Sequence, residues 1–92
     1  MPRGLRITQG HTLSVMIRSR ETVYFNGPAA AVSSINQKGP FDILPQHAHF
    51  ISLIQDGAIV RKDDGTQSQI YFSQAILKTN NDRVEIYIGL KK

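Results

Sequence analysis

Cysteine and tryptophan are absent from this 92-residue sequence, and proline occurs only four times. Without cysteine there is no disulfide framework, no thiolate zinc centre and no thiol nucleophile, which fits a reducing cytoplasm. No apolar run approaches the length of a membrane span, and residues 1–12, MPRGLRITQGHT, lack the apolar stretch of a signal peptide. Any contact with a membrane is therefore expected to run through a partner. Sustained helical spacing is missing too: no window of ten or more residues shows it free of breakers.

Chemistry-bearing constellations are equally scarce. The serines lie in no Gly-Xaa-Ser-Xaa-Gly elbow, and no Gly-Xaa-Xaa-Xaa-Xaa-Gly-Lys loop is there to cradle a phosphate. His47 and His49 could share a strand face with Asp42 as a third ligand, but zinc wants three or four well-placed ligands. A corner histidine that bonds backbone or meets a partner is the better reading. Asp42 and Glu85 are the acids to weigh as a buried catalytic pair, although carboxylates on strand faces are usually exposed. No catalytic residue, metal ligand or cofactor is expected. The 11 Lys and Arg outnumber the 7 Asp and Glu for a net charge of +4, yet they are spread out. They form no basic stripe with interleaved aromatics, so nucleic acid is not the expected partner.

What the chain does have is alternation. Leu13, Val15 and Ile17 alternate with Ser14, Met16 and Arg18, and Val84, Ile86 and Ile88 alternate with Glu85 and Tyr87. A period of two means strands with one face buried. The same logic marks Thr22–Phe25, Ala30–Ile35, Phe41–Leu44, Phe50–Ile54, Ala58–Lys62, Gln67–Phe72 and Ala75–Thr79. Turn signals stand at Asn26-Gly27, Asp56-Gly57, Asp63-Asp64-Gly65-Thr66 and Asn80-Asn81-Asp82. The expectation is an all-β chain: one β-sandwich or flattened barrel of about nine to ten short strands. Residues 1–12 would form an N-terminal arm and residues 13–92 the single domain.

One stretch is more specific. Gly39-Pro40-Phe41-Asp42-Ile43-Leu44-Pro45-Gln46-His47-Ala48-His49 resembles the Gly-acidic-Leu/Phe-Gly-Ile-Leu/Tyr-Pro-Gly-His-Ala-Pro segment of ATP synthase epsilon subunits, called delta in mitochondria. Leu13–Ile17, Glu21–Gly27, Ile54–Gly57 and Tyr71–Leu77 are similar to further pieces of that family, in order and at matching spacing. The resemblance covers about residues 13–90. It implies the family's N-terminal β-sandwich, a rotor subunit of the central stalk that binds the gamma subunit and the c ring without chemistry of its own. It further implies a partner interface at Ser19, Lys38, Gly39, Pro40, Phe41, Asp42, Gln46 and His47. The expected location is the cytoplasmic face of the plasma membrane, held there through the complex.

The departures from that pattern carry expectations as well. The family's common acid is here Pro40, its second glycine Asp42, the glycine before histidine Gln46, and its Gly-Gly pair Gln74-Ala75. Replacing a glycine that needs positive φ costs about 1 kcal/mol or more. Either these positions need no such backbone, or the loops are reshaped. The chain ends at Lys92, so the family's C-terminal helical hairpin, which restrains ATP hydrolysis, is not expected. A repurposed sandwich serving as an adaptor outside ATP synthase is the alternative reading.

Overall fold

The computed structural model describes residues 12–45 and 49–89. They form eight strands and no helix: β1 Leu13–Arg18, β2 Val23–Ala29, β3 Ala31–Asn36, β4 Gly39–Ile43, β5 Phe50–Arg61, β6 Gln67–Ile70, β7 Gln74–Asn80 and β8 Arg83–Ile88. The all-β expectation holds, with slightly fewer strands among the described residues than the nine to ten expected. The arm expected over residues 1–12 lies, apart from Thr12, outside the described residues.

All eight strands belong to one hydrogen-bonded sheet in the order β2-β1-β8-β7-β5-β3-β4, with β6 also on β5. The sheet closes into a sandwich because β5 is long enough to serve two layers. Its first half, from Phe50 to Gln55, pairs with β7. Its second half pairs with β3 on one side and β6 on the other. Between the halves stand Asp56 at φ 63° and Gly57 at φ 86°, two residues that interrupt the pairing with β3 and turn the strand. Asp56-Gly57 is thus a corner inside a strand rather than a turn between two. Positive φ was legible there, but its use was not.

Three contacts hold the corner. The buried Ser34 hydroxyl donates to the Gly57 carbonyl at 2.8 Å. The Asp56 N–H donates to the Ser73 carbonyl at 3.1 Å. A Cβ on Gly57 would lie 2.7 Å from the Ile70 carbonyl oxygen, so the close approach of β6 requires glycine.

Asn26-Gly27 differs from expectation in another way. It lies inside β2, opposite Met16 and Val15 of β1, instead of making a turn. The chain bends at Ala30 to pass from the larger layer to the smaller one, and the Ala30 N–H donates to the Arg61 carbonyl at 2.8 Å. The remaining turn signals are used as turns. Gly65 takes φ 91° in the β5–β6 hairpin and Asn81 takes φ 58° between β7 and β8. Asp42, Gln74 and Ala75, which replace family glycines, all sit in strands without positive φ. At these described positions the substitutions therefore carry no backbone penalty.

The core lies between the layers and is filled from the alternating positions. Leu13, Val15 and Ile17 of β1 meet Val84 and Ile86 of β8, Leu77 of β7, Ile54 and Val60 of β5, and Val32 and Ile43 of the smaller layer. Burying a side chain of this size stabilises by about 2 kcal/mol. β1 runs parallel to β8, with Val15 opposite Val84 and Ile17 opposite Ile86, so the first and last described strands lock together in mid-layer.

Candidate partner-docking face

The resemblance puts the partner interface mainly on the β3–β4 hairpin. Its tip is shaped by Asn36, whose side-chain oxygen accepts from the Lys38 N–H at 2.9 Å, and by Gly39 at φ 117°. That geometry leaves Lys38 and Pro40 exposed. Phe41 instead turns partly inward, edge-on to Phe50 with ring centroids 6.2 Å apart. Asp42 accepts a 2.6 Å hydrogen bond from the Ser33 hydroxyl across the hairpin. Gln46 and His47 lie outside the described residues.

Ser19 belongs to a different element, the β1–β2 connection, where its hydroxyl accepts from the Thr22 N–H at 3.2 Å. It follows Arg18, which pairs with Tyr87 of β8 in the larger layer. The hairpin and Ser19 are thus placed on opposite margins of one sheet surface. The hairpin joins that surface through Asn36, whose amide donates to the Ser52 hydroxyl of β5 at 3.2 Å.

Between these margins runs an apolar stripe on the outside of the five-stranded layer β2-β1-β8-β7-β5. Cross-strand partners share a face, so Leu53, Ile76, Tyr87 and Arg18 form one row. Ile51, Lys78, Glu85 and Met16 form the next. Ile51 is 70% exposed, Leu53 62% and Tyr71, in the β6–β7 connection, 79%. Two hollows flank them. One of about 520 Å³ lies between the hairpin tip and β5. The other, of about 410 Å³, is lined by Leu53, Tyr71, Phe72, Ile76, Tyr87 and Ile88.

None of Ile51, Leu53 or Tyr71 is among the interface residues that the resemblance implies. A signal was available: Phe50-Ile51-Ser52-Leu53-Ile54 is apolar on both parities, as in a strand covered on both faces. Only Ile54 of this run is fully buried within the chain.

Among the described residues the acids weighed for chemistry remain apart. Asp42 lies on the smaller layer and Glu85 on the outer face of the larger one, where it faces Arg83 at 3.9 Å. His49 is exposed, with Nε2 3.3 Å from the Asn81 side-chain oxygen. Among the described residues no three His, Cys, Asp or Glu side chains come together as metal ligands.

The family model for the ATP synthase delta/epsilon chain, beta-sandwich domain, matches residues 12–88. The chain belongs to that family. An ATP synthase epsilon chain of Clostridium novyi is 29% identical over 76 residues, which are 82% of this chain and 58% of that one. An epsilon chain of Micrococcus luteus is 33% identical over 75 residues, 80% of this chain and 82% of its relative. This delta/epsilon-family chain therefore spans little more than half of the first relative and is close in length to the second.

Two solved structures show the same fold. One is a chain of the Euglena gracilis mitochondrial ATP synthase, from an OSCP/F1/c-ring structure. It superposes with a TM-score of 0.78 at 16% identity, over 85% of this chain and 51% of that one. The other, from the central stalk/c-ring of the Tetrahymena thermophila enzyme, gives 0.68 at 10% identity, over 83% and 62%.

Proposed function

We propose that this chain is the non-catalytic epsilon-type subunit of the central stalk of a proton- or sodium-translocating ATP synthase. In this reading it binds the gamma subunit, rests on the c ring, and helps couple ion flow to ATP synthesis. The complex holds it at the periphery of the membrane, on the cytoplasmic face.

The apolar stripe carries the proposal. A sheet face left to water normally alternates to polar residues, whereas Ile51, Leu53 and Tyr71 stand exposed, the first two beside the hairpin at which the resemblance puts the interface. A contiguous apolar patch of this kind marks an interaction surface, and a durable subunit contact buries on the order of 1,000 Å² or more. The fold suits a mechanical part. Torque passes well through a body whose layers share one hydrogen-bonded sheet and one core. The hairpin tip, with Lys38 and Pro40 exposed, supplies the end that would rest on the c ring.

Coexpression with the gamma subunit of the same organism is the direct test. A complex that co-elutes through size exclusion in equal stoichiometry is expected. Absence of any complex, with both proteins folded, would sink the proposal.

A further inference from the structure

We propose that the outer face of the five-stranded layer is charge-selective: it accepts a protein surface whose apolar centre is bordered by carboxylates. The inference rests on the reading just given and states what chemistry the contact surface of gamma must carry.

The pairing of β1, β7 and β8 places Arg18, Lys78 and Arg83 on this face with a single acid, Glu85. Glu85 neutralises little, because its ion pair with Arg83 spans 3.9 Å and the arginine side chain is 69% exposed. Arg18 is half-buried, and its guanidinium donates only to backbone carbonyls, from Nε to Ser19 at 3.0 Å and from Nη2 to Arg20 at 3.3 Å. Its charge is held in place beside the hollow it shares with Glu85 and makes no ion pair among the described residues, so it is free to take a carboxylate. Lys78 stands beside Ile51 in the cross-strand row and makes no ion pair among the described residues. On the other flank of the stripe, Lys38 borders the hollow of about 520 Å³, whose lining contains no carboxylate.

Positive charge thus frames the apolar stripe on both sides. A second copy of this chain is a poor occupant, because a two-fold contact would set one cation-framed face against another. An ordered protein surface is favoured over a lipid headgroup layer. The charges and the polar Ser14, Asn26 and Gln74 are fixed at sheet spacing, about 4.8 Å between strands, which another ordered surface can match.

The test is binding of the purified full chain to the gamma subunit of the same organism, at low and high salt. Lys78→Glu with Arg83→Glu alters only exposed side chains, and a circular dichroism melt checks that the fold is kept. The double variant should bind roughly tenfold more weakly at low salt, mostly through a slower on-rate, and lose much of the salt dependence of the natural chain. Gln67→Glu with Gln69→Glu, on the outside of the smaller layer, introduces the same two carboxylates away from the site, for half the change in net charge, and should leave binding unchanged. Acid-to-lysine changes at the gamma contact should restore binding of the first variant.

Equal affinity and equal salt response for the natural chain and the Lys78/Arg83 variant would overturn the inference while leaving the stalk reading intact. No binding of gamma by the natural chain would remove both. Tighter binding to phosphatidylserine vesicles than to gamma would overturn it in favour of a membrane surface. A dimer of this chain that gamma does not dissociate would overturn it in favour of self-association.

Discussion

Gly57 illustrates how much can rest on one missing methyl group. Its φ of 86° is unfavourable for any side chain, and the Ile70 carbonyl oxygen occupies the position a Cβ would need. Gly57→Ala therefore combines left-handed strain with a backbone clash, and should cost about 2 kcal/mol or more. In a domain of this size that lowers the melting temperature by roughly 10 °C, as a thermal melt would show. Ser34→Ala tests the same corner from the opposite side. It deletes the donor to the Gly57 carbonyl and leaves that oxygen buried, at a cost of about 1–2 kcal/mol. If both variants melt like the natural chain, the corner is not where the sandwich is held.

At the scale of the element, the β5–β6 hairpin couples folding to pH through Asp64. The Thr66 hydroxyl donates to its carboxylate at 2.7 Å and the Thr66 N–H at 2.9 Å. These bonds, with a smaller contribution from Lys62, hold the carboxyl below its ordinary value of 3.8. A depressed folded value means that the ionised form stabilises the turn. That contribution is complete above the ordinary carboxylate value and is lost as pH falls through the folded value. An NMR titration should find Asp64 below 3.8, and Thr66→Val should move it upward by removing the hydroxyl donor. An unchanged titration in that variant would show that the hydroxyl does not hold the carboxylate. β5 shows an element's other role, since its two halves belong to different layers and only its length permits this.

For the molecule as a whole, the decisive contrast is between core and face. Leu77 is fully buried, and Leu77→Ala should destabilise by about 2–5 kcal/mol. Leu53 is 62% exposed, and Leu53→Asp should change stability by no more than about 0.5 kcal/mol while abolishing capture of gamma. Melting curves and size exclusion together separate the two effects. Retained capture by the Leu53 variant would move the interface elsewhere on the sandwich.

Local pattern alone determined that the chain is built of strands, where the β5–β6 and β7–β8 turns fall, and which residues of β1 and β8 face inward. The strands on either side of the β3–β4 tip were also legible, as Ala30–Ile35 and Phe41–Leu44, although no turn signal was read between them. Those features depend on side-chain alternation and on the backbone freedom of Gly and Asn, properties of neighbours in the chain. Tertiary structure decided the rest. Asn26-Gly27 carries a turn signal, yet pairing with β1 holds it in a strand. Asp56-Gly57 carries the same signal and becomes the bend that joins two layers. The docking face is likewise a product of pairing, since Leu53, Ile76, Tyr87 and Arg18 come into one row only when four strands align. Where only one face is apolar, as in β1 and β8, a period of two already names the inward one; where both are apolar, as in Phe50–Ile54, only the long-range register says which meets the core and which is left for a partner.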